Sequence, residues 1–399
     1  MTEFTGAPDT RRLHVGATAV EARSLPPDLA RGAMLLLIAL ANSHLFRYGH
    51  DIGVRGYPVV DTIPDRAVTL LQMSLVDGRA YPMFAALFGY GMVQILRRQT
   101  AGGLDPVAVR SLIRRRGWWL VLFGFVHALL LFSGDIIGAY GLLAVVLAGA
   151  LIRAHDRTLL VVAGLWLAPV AAFGALQAIP VPEGAQTVLP SMSVEAPLLA
   201  AAVRVGEWVP FTLLTALFAL VPALLLGVWA ARRRILDDPE LHRRFLLRAA
   251  MIGAGLAVAG GLPMALMAAQ VWAQPSATAT AFAGMLHAVT GYAGGVGYAA
   301  VAGLIAIRSR DSGGPVVRAV AACGQRSMTC YLAQSVAFVA VLAAYGGGLG
   351  DRLGVAQTAL LAIATWVLIL LLAELMRRLG HRGPFELLLR RLTYGPRSG

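Results

Sequence analysis

The stretch GFVHALLLFSGDIIGAYG, residues 124–141, places His127 and then Asp135 in a run that is otherwise apolar. An imidazole oriented by a carboxylate is a general base, able to take the proton of an attacking hydroxyl or amine. It can also carry an acyl group transiently. Both residues have structural accounts as well. Asp135, after Ser133 and Gly134, suits the N-cap of a following helix, and Gly134 suits the end of the preceding one. His127 could be a histidine bonded to a neighbouring helix.

The run RGAMLLLIALANSH (31–44) offers a second set. It opens with Arg31 and closes with Asn42 and His44, which are two apart and so occupy different helix faces. His287, Gln334 and Glu374 are the other polar residues inside apolar windows. Glu374 precedes Arg377 and Arg378 by three and four residues, the spacing of helical ion pairs. Beside His287, the glycines of GYAGGVG (291–297) fit close helix packing better than a phosphate loop. Cys323 and Cys330 have no zinc or disulfide spacing and read as small apolar filler. There is no HExxH, P-loop or GxSxG, and no metal is expected.

The elements that must hold these residues follow from the solvent. The chain is 58% hydrophobic and 14% charged, with a mean hydropathy of +0.69. Soluble domains carry about 25% charged residues. Ten apolar windows recur, roughly at 31–48, 80–96, 117–133, 136–152, 158–178, 208–230, 249–271, 281–306, 326–345 and 356–376. Most have the length that crosses a hydrocarbon core of about 30 Å. An all-α, polytopic membrane protein with about ten transmembrane helices is therefore expected, its partner being the lipid bilayer. In that frame His127 lies about 15 Å past Gly117, where ionisable groups face a cavity or a partner.

Arginine placement sets the orientation. Of the 34 basic residues, all arginine, 27 fall in alternate loops and the two ends, and six in the other loops. That asymmetry puts both termini in the cytoplasm. It also accounts for the net charge of +13 without nucleic acid, through attraction to anionic lipid. The expected organisation is a cytoplasmic tail (1–30), a transmembrane domain (31–378) and a cytoplasmic amphipathic tail (379–399). No cleavable signal is evident in residues 1–30. The outer side is mildly acidic, with Asp51, Asp77, Glu183 and Glu207 among its carboxylates. Residues 67–77 read as an interfacial stretch, or as an extension of the second span kinked near Pro82. In the tail, RGPFELLLRRLTY (382–394) reads as a helix with Pro384 in its first turn. Phe385, Leu388, Leu389 and Leu392 form one apolar face of it, suited to the inner leaflet.

Four blocks carry a resemblance: RGAMLLLIALAN (31–42), YPMFAALFGYGMVQILRR (81–98), GFVHALLLFSGDIIGAYGLL (124–143), and GQRSMTCYLAQS (324–335) with RGPFELLLRRLTYG (382–395). The chain resembles the YeiB-like integral membrane proteins, the domain of unknown function 418 group, whose C-terminal domain corresponds to about 225–395. Its first span is also similar to that of transmembrane acyltransferases such as the heparan-alpha-glucosaminide N-acetyltransferases. There an Arg-Gly pair precedes a polar residue, matched here by Arg31, Gly32 and Asn42. The sequence departs from the acyltransferase-3 branch, which has His at that position, and has His44 two residues on. It departs from the YeiB pattern where Gln325 separates Gly324 from Arg326 and Cys330 stands for Asn.

Two functions lead from these residues, ahead of a sensor, assembly or other non-catalytic membrane role. In the first, acyl-CoA enters from the cytoplasm and meets Arg31, Arg114, Arg115, Arg116 and Arg326 through its phosphates. His127 or His44 then serves as base toward an outward-facing small-molecule or glycan acceptor, and Asp135 orients the imidazole. Tyr140 and Gln334 line the substrate path. In the second, the same residues form the path of a proton-coupled transporter of a small solute. A multi-pass protein of a bacterial plasma membrane fits either, and homo-oligomer formation is left open.

Overall fold

A computed structural model describes residues 24–179, 184–309 and 313–395. Nearly all of the expected N-terminal tail, and Glu183, lie outside the described residues. Regular structure among the described residues is helical, apart from isolated bridges at Tyr48–Thr187 and Ile52–Pro58. The first half comprises α1 (Leu25–Ser43), α2 (Ile63–Leu75), α3 (Ala80–Ala101), α4 (Pro106–Leu130), α5 (Ile137–Arg153), α6 (Asp156–Leu165) and α7 (Leu167–Ala178). The second comprises α8 (Pro197–Leu214), α9 (Val221–Arg232), α10 (Arg243–Ala268) and α11 (Ala277–Arg308). It ends with α12 (Pro315–Gln325), α13 (Ser327–Leu342), α14 (Val355–Arg378) and α15 (Pro384–Tyr394).

Six stretches are long and apolar enough to cross a membrane: Leu25–Phe46, Asp156–Ala178, Pro197–Arg232, Arg243–Ala268, Ala277–Arg308 and Val355–Arg378. The helices α5 and α13 are apolar but shorter. The α4 helix is long, yet its first half carries Arg110, Arg114, Arg115 and Arg116. The chain is thus a helical membrane protein. Along α14, Leu360, Leu368, Leu371 and Leu375 are all exposed, a stripe at helical spacing that suits contact with acyl chains rather than water.

With lipid as apolar as leucine, small residues must hold the helices together. Where α1 crosses α12, a Cβ on Gly32 would sit on the Val320 carbonyl, and one on Gly324 on the Asp28 carbonyl. The Trp366 indole of α14 reaches the same point, donating to the Gly32 carbonyl at 3.1 Å. Gly32→Ala is therefore expected to destabilise the bundle by about 1–3 kcal/mol through overpacking. A fall of several degrees in Tm, read by tryptophan fluorescence in detergent, checks it.

Two helix breaks differ from the sequence expectation or sharpen it. The interruption before α3 falls at Gly78, with φ +74°, and not at Pro82, which sits harmlessly in the first turn of α3. Residues 63–75 are a separate helix with Thr69, Gln72, Met73 and Ser74 buried, and α2 packs on α10 and α14. Between α8 and α9, Thr215–Leu220 widens into a π-helical turn just before Pro222, whose ring cannot sit in a regular α-turn. Two carbonyls of that turn take side-chain donors: Leu217 from the Trp166 indole at 2.8 Å, and Ala219 from Tyr292.

Candidate functional site

The α4 and α5 helices form a tight hairpin around glycines. A Cβ on Gly124 would collide with the Asp135 carboxylate and the Gly138 amide, so only glycine lets the interhelical turn fold onto α4. The turn runs from Leu131 to Ile136, longer than the three residues expected, because α4 stops at Leu130. Gly134 therefore does not end the helix. Phe132 turns inward instead and stacks on Phe46 at 4.7 Å between centroids.

This turn brings three residues into one chain of hydrogen bonds. His127 Nδ1 lies 2.8 Å from Asp135 Oδ1, and its Nε2 lies 2.8 Å from Ser335 Oγ on α13. Asp135 Oδ2 accepts the Gly138 amide at 2.7 Å, so the residue both caps α5 and holds the imidazole. In the neutral imidazole, a carboxylate at Nδ1 requires the ring proton there and leaves Nε2 to accept from the serine hydroxyl. His127, Asp135 and Ser335 are 3%, 0% and 4% exposed. Gly124→Ala should push Asp135 away from His127 and loosen the α4–α5 hairpin, and a fall in Tm measured by thermal unfolding in detergent is the expected result.

Beneath this group lies a cavity of about 670 Å³. Its inner end is apolar and aromatic: Ile38, Phe84, Phe88, Leu120, Ile136, Tyr140 and Tyr331. The Tyr331 ring lies 5.2 Å from that of His127, between centroids. Its hydroxyl is buried beside the Ile136 backbone without a well-formed hydrogen bond. Its mouth holds eight arginines, Arg31, Arg97, Arg98, Arg116, Arg234, Arg326, Arg382 and Arg390, against three acids, Asp28, Asp237 and Glu386. The acids organise it. Asp28 pairs with Arg31 at 3.0 Å, and Asp237 binds both Arg97 and Gln94. Glu386 of α15 accepts the Met328 and Thr329 amides at 2.7 and 3.1 Å, tying the tail helix to the start of α13. Leu389 of α15 is buried against the cavity. The tail thus packs on protein through Leu389, with Leu392 half-buried, and leaves Phe385 and Leu388 exposed.

On the opposite side the group is capped. Glu207 of α8 accepts the Ser191 amide and hydroxyl at 2.9 and 2.7 Å and the Ser133 hydroxyl, pinning the loop before α8. Arg204 donates twice to the Leu129 carbonyl, at 3.1 and 3.0 Å, and to the Tyr345 hydroxyl at 2.8 Å. Burial raises the Tyr345 phenol's pKa, and the guanidinium offsets this only in part.

The other expected site residues divide among three places. Arg31, Arg326 and Tyr140 line the cavity, Tyr140 stacked between Phe84 and Phe88. Arg116 lines it as well, whereas Arg114 and Arg115 do not. Arg326 commits donors to the Ala322 and His381 carbonyls, bracing the mouth rather than facing into it with all its donors. Gln334 is buried and donates to the Leu35 carbonyl at 2.9 Å, outside the cavity lining. Asn42 lies partly exposed on α1, away from both.

His44 belongs to a different cluster. A 3-10 turn, His44–Phe46, follows α1 and lays its ring on Tyr57, centroids 3.9 Å apart. Nearby, Arg55 binds Asp77 through two nitrogens at 2.8 and 3.2 Å, and Arg79 reaches the Asp77 carbonyl and the His287 ring. Burial opposes the Asp77 charge, but Arg55 overrides it and holds the carboxyl below the usual carboxylate range. Arg79 is fully buried, and the space for it is made by Gly261 and Gly294, where a Cβ would strike its side chain. The glycine run beside His287 thus serves packing. The expected Glu374 pairing is also present, with Arg377 at 2.7 Å and Arg378 at 2.9 Å.

Ser335 is the functional candidate that sequence reasoning passed over. Its signal was a hydroxyl beside Gln334 in an apolar run, and nothing local tied it to a histidine 208 residues away.

Residues 230–396 match the family described as "Protein of unknown function (DUF418)". A curated relative, "Uncharacterized protein YxaH" of Bacillus subtilis (strain 168), is 27% identical over 338 residues, covering 78% of each chain. The resemblance to the domain of unknown function 418 group holds on these comparisons.

Proposed function

We propose that this helical membrane protein, matched to the DUF418 family over α10–α15 and the segment before them, is a transmembrane acyltransferase. Its donor is a cytoplasmic acyl-CoA and its acceptor a hydroxyl or amine presented from the outer side. The observation that carries this reading is the cavity, guanidinium-lined at its mouth and apolar at its end, stopping against the residues that flank His127. Arginine matches phosphate oxygens bidentately, and an apolar end of this size accepts an acyl chain. By the positive-inside rule the arginine-rich end faces the cytoplasm of a bacterial plasma membrane, with ten crossings and both termini inside.

His127 is the base in this scheme, and Asp135 positions its imidazole so that Nε2 accepts the proton. The thioester carbonyl lies toward Tyr331, and the acceptor enters from the outer side when the loop pinned by Glu207 moves aside. An Arg382→Ala variant is expected to bind acyl-CoA about tenfold more weakly, the worth of one charged hydrogen bond. The loss should shrink as salt rises.

The test is CoA-ester binding by the purified protein in nanodiscs, with release of free CoA on adding a panel of hydroxyl and amino acceptors. Saturable binding with acceptor-dependent release supports the reading. Absence of binding in a folded sample overturns it and leaves a proton-coupled transporter as the reading to test by solute flux.

A further inference from the structure

The base nitrogen of His127 is already committed. With Nδ1 donating to Asp135, Nε2 is the accepting nitrogen, and the hydroxyl 2.8 Å from it belongs to Ser335. In a carboxylate–imidazole–hydroxyl chain of this kind the hydroxyl is the group made nucleophilic. Three different elements supply the members: α4, the turn before α5, and α13. The α13 helix also leads to the cavity. Ser327, Met328 and Tyr331 line it, and Ser335 is one helical turn beyond Tyr331 on the same face. Ser335 lies just beyond the cavity lining, and it is the α13 hydroxyl held against the His127 imidazole.

The geometry points to Ser335 as a covalent acyl carrier, so that transfer proceeds in two half-reactions; this rests on the acyltransferase reading above. In the first, Ser335 Oγ attacks the thioester carbonyl. The carbon–oxygen bond forms, the carbon–sulfur bond breaks, and the Oγ proton passes to His127 Nε2 and on to the departing CoA thiolate. In the second, the acceptor hydroxyl or amine attacks the seryl ester. Its proton passes to His127 and then to Ser335 Oγ, which leaves as the restored hydroxyl. The buried site keeps water from the ester between the two steps, since all three residues are nearly inaccessible. A two-step route also suits a donor and an acceptor that arrive from opposite sides of the membrane, because they need never be bound together.

The experiment uses the full chain in nanodiscs with octanoyl-CoA and acetyl-CoA as probes and no acceptor. A stoichiometric burst of free CoA is expected, with protein mass rising by one acyl group. Peptide mapping should place that group on Ser335, released by hydroxylamine. Ser335→Ala should lose burst and adduct while binding octanoyl-CoA within about threefold of wild type, less than one hydrogen bond's worth. Ser335→Cys should restore both the adduct, as a thioester, and acceptor-dependent CoA release, and the release is what a merely structural serine would not recover. Acceptor-dependent turnover retained in Ser335→Ala, with no adduct in wild type, overturns the carrier and leaves direct transfer. An adduct mapped to His127 also overturns it. Failure of wild type to bind or release CoA overturns both this inference and the acyltransferase reading.

Discussion

His127→Ala is expected to lower acceptor-dependent CoA release by about 10²–10⁴-fold, the usual contribution of a positioned general base. Binding of acyl-CoA should stay near wild type, because the cavity that holds it is lined by other residues. The separation of the two effects is the informative part. A loss of binding as large as the loss of rate would mean that His127 supports the fold, since its ring bridges the α4–α5 turn to α13. Asp135→Asn sharpens the comparison. It keeps the shape but can present an amide N–H to Nδ1, which favours the tautomer with Nε2 protonated and unable to accept. Asp135→Asn should therefore lose rate without losing the Tyr331-lined cavity. Single-turnover release of CoA, followed with a thiol reagent, measures both variants.

Asp77→Ala is expected to be the most destabilising single change, by about 3–5 kcal/mol, the range for breaking a buried ion pair. Asp77 anchors Arg55 through two nitrogens, and the same short loop presents Arg79, which is fully buried. Removing the carboxylate leaves two guanidinium groups close together with one fewer negative charge to face. Asp77→Asn should cost less, because it retains an acceptor for Arg55. Thermal unfolding in detergent distinguishes them. Near-equal Tm values for wild type and Asp77→Ala would show that the cluster is hydrated and of small energetic weight.

Much of the fold was legible because lipid leaves few choices: apolar windows mark helices, and small residues mark where they touch. His127 and Asp135 were legible as a pair because a single turn joins them. What escaped were the features set by long-range packing. Ser335 becomes a partner of His127 only when α13 lies against α4. His44 was grouped with the base candidates, yet the turn that ends α1 rotates it onto Tyr57. Arg79 and Arg204 fall by sequence among the six arginines of the less basic loops, but both are buried and hydrogen-bonded to backbone carbonyls. In each case the sequence shows a residue type and the partner lies far along the chain.

The contact between Glu386 and the start of α13 has a bearing on how the protein is made. Chains insert and fold from their N-terminal end as they are synthesised. All the long apolar helices are in place once α14 has entered the membrane, while α15 is still to come. At that stage the compartment that would hold the acyl donor has walls and a roof but no finished doorway. On the acyltransferase reading, the donor site is thus completed last, by a short peripheral helix made after every long apolar one.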